Sequence, residues 1–153
     1  MMKNKLYFTF LIIILNSLLL TNNANSNSEF LTLKNSKVNL RQGPSFDYPI
    51  KLIYKKKYLP VIILNKVETW RQIKDHQNNS GWIHISQLSK KKSAININEN
   101  SIVYKNPTVY SKPIVKLKIG RLVLIKKCKK EWCRIETGNY KGWTLKKFLW
   151  GRT

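Results

Sequence analysis

Leu40-Arg41-Gln42-Gly43-Pro44-Ser45 (LRQGPS), followed by Trp70-Arg71-Gln72-Ile73 and Gly81-Trp82-Ile83, returns later in the chain as Val103-Tyr104-Lys105-Asn106-Pro107-Thr108, Trp132-Cys133-Arg134-Ile135 and Gly142-Trp143-Thr144. Self-similarity of this kind marks two modules of one architecture. Around the landmarks, apolar residues come in short runs rich in branched side chains. In the first copy these are residues 38–40, 50–53, 59–64, 70–73 and 82–85; in the second, 102–104, 114–118, 122–127, 132–136 and 142–145. Turn chemistry separates them at Gly43-Pro44 and Asn78-Asn79-Ser80-Gly81. Strands of this length and spacing predict small barrels or sandwiches. After the amino terminus, no stretch keeps an apolar period of 3.6 long enough for a substantial helix.

At that terminus, Lys3 and Lys5 precede an apolar run from Leu6 to Leu20, and small residues follow at Ala24 and Ser26. The run is short for a span, which needs about 20 apolar residues. Charged start, apolar middle and small-residue end predict a signal peptide over 1–24, cut after 24 or 26, and a periplasmic or secreted chain with no stable membrane span. Residues 25–35 read as a flexible leader, 36–89 as the first module, 90–99 with Lys90-Lys91-Lys92 as a charged linker, and 100–151 as the second module.

The chain carries 29 Lys plus Arg against 7 Asp plus Glu, a formal net of +22, or +20 without Lys3 and Lys5. Such a surface draws anionic partners through salt-sensitive fields. Anionic lipid or lipopolysaccharide head groups and the carboxylates of a cell wall fit an exported chain; a specific nucleic-acid partner is not expected. Heavy use of Lys, Asn and Ile is also what biased nucleotide composition produces.

Strand parity assigns faces. Trp70 and Ile73 stand at odd separation and point to opposite sides of a regular strand. With Ile73 in the core, Trp70 is expected outside as an exposed aromatic platform, and Trp132 likewise relative to Ile135. Trp143 shares a face with Leu145, which places it, and by position Trp82, inside.

Cys128 and Cys133 flank a four-residue connection between two predicted strands, where paired hairpin positions bring β-carbons within disulfide reach. Export favours that pairing. Parity requires a bulge after Ile125 to turn both cysteines to one face. Metal binding is the competing reading, but two Cys without a nearby His supply half of a tetrahedral site.

Catalysis finds little support. His76 lies in a polar loop beside Asp75, and His84 holds a position that the second copy fills with Leu145. Paired carboxylates, a Gly-rich phosphate loop and a nucleophile elbow are all missing from the sequence. A non-enzymatic protein without cofactor or bound metal is expected.

Val38-Asn39-Leu40-Arg41-x-Gly43-Pro44-Ser45, then Trp70-Arg71-x-Ile73-x-Asp75 and Gly81-Trp82-Ile83-His84, resembles the bacterial SH3-like (SH3b) domain. The second half, with Trp132-Cys133-Arg134-Ile135, Gly142-Trp143 and Leu149-Trp150-Gly151, resembles the second module of exported tandem proteins of that family. It departs where Tyr104, Lys105 and Asn106 replace Arg41, Gln42 and Gly43. The resemblance implies an all-β chain of two tandem, five-stranded, partly open barrels that bind in the cell envelope, often near peptidoglycan or its hydrolases. The expected function is engagement of peptidoglycan or another envelope component. Trp70, Tyr48, Arg41 and Trp132 are the candidate ligand-binding residues, and two linked weak sites supply avidity. A protein adaptor for an envelope enzyme and a salt-sensitive polyanion binder are the alternatives.

Overall fold

The computed structural model of the chain describes residues 29–153; the expected signal peptide lies outside the described residues. The first module contains β1 (Phe30–Leu33), β2 (Val38–Arg41), β3 (Ile50–Tyr54), β4 (Pro60–Val67), β5 (Trp70–Lys74), β6 (Ser80–His84) and, after a 3₁₀ turn at Ile85–Gln87, β7 (Leu88–Ser89). The second contains β8 (Ser93–Asn96), β9 (Ile102–Tyr104), β10 (Pro113–Lys116), β11 (Leu122–Lys129), β12 (Trp132–Thr137), β13 (Tyr140–Leu145) and, after a 3₁₀ turn at Lys146–Phe148, β14 (Leu149–Gly151). The strand orders are β3-β2-β6-β5-β4-β1-β7 and β10-β9-β13-β12-β11-β8-β14, one topology used twice. Among the described residues no helix is long and apolar enough to cross a membrane.

Each sheet holds the five expected strands and two more. The additions correct two readings. The segment 25–35, expected to be a flexible leader, contains β1, whose Leu31 and Thr32 pair with Val61 and Pro60 and whose Leu33 pairs with Leu88. The segment 90–99, expected to be a linker, contains β8, seated between β11 and β14 with all four residues buried. A strand covered on both faces shows no alternation, and four residues between polar neighbours show little else, so pattern reading passes over it. The repeat therefore starts at Phe30 and Ser93, and Lys90-Lys91-Lys92 alone connects the modules.

Leu33, Leu40, Val61, Ile73 and Ile83 are fully buried in the first core; Val103, Val123, Cys133 and Ile135 are fully buried in the second. The cores meet across β8. Ala94 packs into the second core, whereas Ile95, 0% exposed, packs into the first. Ser93 Oγ donates to Tyr58 O at 2.6 Å, Lys56 Nζ to Gly120 O at 3.3 Å, and the Phe30 and Trp150 rings meet edge to face at 5.1 Å. The modules are docked on each other, not strung on a tether.

One buried carboxylate organises the β5–β6 loop. Asp75 accepts hydrogen bonds from the backbone N–H of Gln77 and Asn79, from Asn79 Nδ2 and from the Tyr54 hydroxyl, at 2.9, 2.9, 2.9 and 3.0 Å. Burial first, and then the Asp75 charge, push the Tyr54 phenol far above its ordinary value of 10.0. In the second module Thr137 takes the place of Asp75, donating to Leu122 O at 3.0 Å and accepting from Arg121 Nε at 2.7 Å.

Candidate binding site

Glycine decides which tryptophans face outward. A β-carbon on Gly81 would stand 2.6 Å from Arg41 O, and one on Gly142 2.5 Å from Tyr104 O, so only glycine lets β6 and β13 approach β2 and β9 this closely. With Gly81 and Ile83 turned inward, Trp82 must turn outward; with Gly142 and Thr144 inward, so must Trp143. Both were expected inside and both are half-buried on the outer face. The inner position expected for the indole is held instead by Thr144, whose hydroxyl meets Ser101 Oγ at 3.1 Å.

Trp70 does occupy the outer face, but it is no open platform: it is 6% exposed. The loop after Arg41 folds back so that the Phe46 ring meets the Trp70 indole edge to face at 4.9 Å and the His84 ring at 5.5 Å, while Trp70 and His84 lie 5.3 Å apart. Parity assigns a face but not the loop that covers it. Phe46 itself is 66% exposed, and the Arg41 guanidinium sits 5.7 Å from its ring centre. Arg41 is anchored through Nη1 to Tyr48 O at 2.7 Å, and the Tyr48 ring, 46% exposed, lies where a β-carbon on Gly43 would be. The Gly-Pro turn thus exists to seat Tyr48 and aim Arg41.

The result is a groove of about 270 Å³ lined by Lys37, Asn39, Arg41, Phe46, Trp70, His84 and Gln87. It brings Arg41 and Trp70 together; Tyr48 is not part of the lining and is tied to the groove only through its carbonyl's hydrogen bond from Arg41. Phe46 and Lys37 were not singled out from sequence. The one available signal was the position of Phe46, directly after the LRQGPS element. His84 caps the following 3₁₀ turn, its Nδ1 2.8 Å from Ser86 Oγ, so its contribution here is its ring.

Trp132 lies on the other module, away from this groove. It is half-buried and meets Tyr104 edge to face at 5.8 Å. Cys128 and Cys133 form the expected disulfide, and the expected bulge stands between Ile125 and Lys127. The bridge replaces a cross-strand Lys66–Arg71 pair of the first module. Among the described residues no cluster of His, Cys, Asp or Glu is arranged to hold a metal ion.

Two copies of a partly open antiparallel barrel, each with aromatic residues on one outer face, define a tandem small-barrel protein. The chain belongs to the bacterial SH3 domain family, whose model matches residues 34–90 and 98–151. Among solved structures it is similar to NlpC2 from Trichomonas vaginalis, with 16% identity and a TM-score of 0.38 over 83% of this chain and 49% of that one. It is also similar to an NlpC/P60 family protein from Bacillus cereus ATCC 10987, with 12% identity and a TM-score of 0.36 over 80% of this chain and 56% of that one. The chain thus spans about half the length of these structures. No curated protein matches it.

Proposed function

We propose that the chain is an exported, non-enzymatic binding protein whose first module engages peptidoglycan. The observation that carries this reading is the Arg41–Phe46–Trp70–His84 groove, where a guanidinium is held beside an exposed aromatic ring. Peptidoglycan offers both complements: stem carboxylates for Arg41 and Lys37, and sugar or peptide faces for Phe46. Export is supported by the charged, apolar and small-residue order of the first 26 residues and by a disulfide that oxidising compartments favour.

The test is co-sedimentation with insoluble peptidoglycan stripped of attached anionic polymers. The chain is expected in the pellet at moderate salt, and Arg41→Ala/Phe46→Ala in the supernatant. A chain that never pellets would overturn the proposal. Capture of one stoichiometric protein from envelope extract, insensitive to salt, would replace it with the adaptor reading.

A further inference from the structure

The two modules share one outer face, so each serves as a reference for the other. In the first, Asn65, Gln72, Trp82 and Arg41 lie side by side across β4, β5, β6 and β2. In the second, the same four positions are Lys127, Arg134, Trp143 and Tyr104, across β11, β12, β13 and β9. The next row reads Val67, Trp70 and His84 in the first module and Lys129, Trp132 and Leu145 in the second. One indole per row is kept. Two neutral amides and a valine have become two lysines and an arginine.

Strand alternation places these groups on one surface. Cys133 and Ile135 point inward, which turns Trp132 and Arg134 outward; Gly142 and Thr144 do the same for Trp143. Lys127 Nζ is 5.8 Å from the Trp143 ring centre, which confirms that the row is contiguous in space. Val109 follows the turn where Phe46 follows it in the first module, and Trp132 stays half-exposed where Trp70 is covered. Among the described residues the cations carry no ion pair, and Lys127 rests over the Trp143 ring. Of the carboxylates close by, Glu136 already pairs with Lys126 at 2.8 Å and Lys141 at 3.0 Å and Glu131 lies in the exposed turn before Trp132; among the described residues Lys127, Lys129 and Arg134 have no acidic partner.

We propose that this face, Lys127, Lys129 and Arg134 around Trp143, Trp132 and Tyr104, binds an anionic polysaccharide, with acidic groups on the cations and sugar faces on the indoles. The envelope reading above supplies the choice of a glycan; the site itself stands on charge complementarity. Arginine presents a planar fork that matches carboxylate or phosphate, and the neighbouring lysines act as point charges. Single-stranded nucleic acid would also meet cations and aromatic faces, but it needs rings open for base stacking and a groove that follows its backbone. Here Lys127, Lys129 and Arg134 sit on a sheet surface and Tyr104 and Trp132 pack edge to face, so the glycan is chosen on the envelope reading and the oligo-dT comparison below tests that choice.

The repeat supplies the variants. Lys127→Asn/Arg134→Gln installs in the second module the residues that the first carries at the same positions, and Asn65→Lys/Gln72→Arg does the reverse. The probes are polygalacturonate, uncharged dextran and a 20-nucleotide oligo-dT, measured by calorimetry at two salt concentrations. The first variant is expected to lose about tenfold in affinity for polygalacturonate and to flatten the salt dependence by roughly two released counterions. The reverse variant is expected to gain affinity, which keeps the proposal testable if the first folds poorly. Unchanged polygalacturonate binding in both variants would overturn the site, and tighter binding of oligo-dT than of polygalacturonate would overturn its occupant. Neither result bears on sedimentation with stripped peptidoglycan, so failure here is distinct from failure of the first module's role.

Discussion

Ile95→Ala should weaken the module to which Ile95 does not belong. The residue sits on β8, the first strand of the second module, yet its side chain is fully buried among Leu31, Leu33 and Val61 of the first. Truncation removes three carbons, roughly 2.4 kcal/mol of transfer free energy at about 0.8 kcal/mol each. The cavity left between two sheets that cannot both collapse inward adds to that, and Ile→Ala substitutions in packed cores cost about 2–5 kcal/mol. A loss of about 3–4 kcal/mol is large against a domain stability of about 0.05–0.15 kcal/mol per residue. Native-state hydrogen exchange read by peptide mass spectrometry would locate the loss. Amides of β2, β5 and β6 should exchange faster in Ile95→Ala, whereas Ile135→Ala, the same chemistry in the second core, should act on β11, β12 and β13 first. If Ile95→Ala leaves the first module's protection unchanged and weakens only the second, the shared core is wrong and the modules fold independently.

Stability should decline on the alkaline side of about pH 10. The folded state raises the Tyr54 phenol above its unfolded value, so the stabilisation is complete below the unfolded pKa and is lost as pH rises and the unfolded chain ionises first. A melting series from pH 8 to 11 should show that decline reduced in Tyr54→Phe; an identical slope in both would assign it to other groups. Replacing both Cys128 and Cys133 by alanine removes a bridge across a sequence separation of five, worth about 2 kcal/mol by chain entropy, and urea unfolding should fall by that amount. No change would mean that the hairpin is held by its ladder alone. Gly81→Ala drives a β-carbon against Arg41 O and should cost about 1–3 kcal/mol while also weakening peptidoglycan sedimentation, because Arg41 is carried on the displaced strand. Wild-type stability there would refute the close approach of β6 and β2.

The sequence by itself determined the duplication, the ten principal strands, the hairpin disulfide and the bulge beside it, because each rests on short-range order: period, alternation and the reach of paired β-carbons. It also named Arg41, Tyr48, Trp70 and Trp132 as candidate ligand residues, without bringing any of them together. Only the tertiary structure decided what covers what. Trp70 lies on its expected face beneath Phe46, a residue brought there by the turn that Gly43 permits. Trp82 and Trp143 face outward because their neighbouring glycines are pressed against another strand, a constraint between backbones far apart in the chain. Leader and linker became β1 and β8 for the same reason: four residues bury both faces only when a sheet and a second module are already present to receive them. Local pattern reports the backbone's own preference, while burial is a property of the neighbours, and these arrive from elsewhere in the chain.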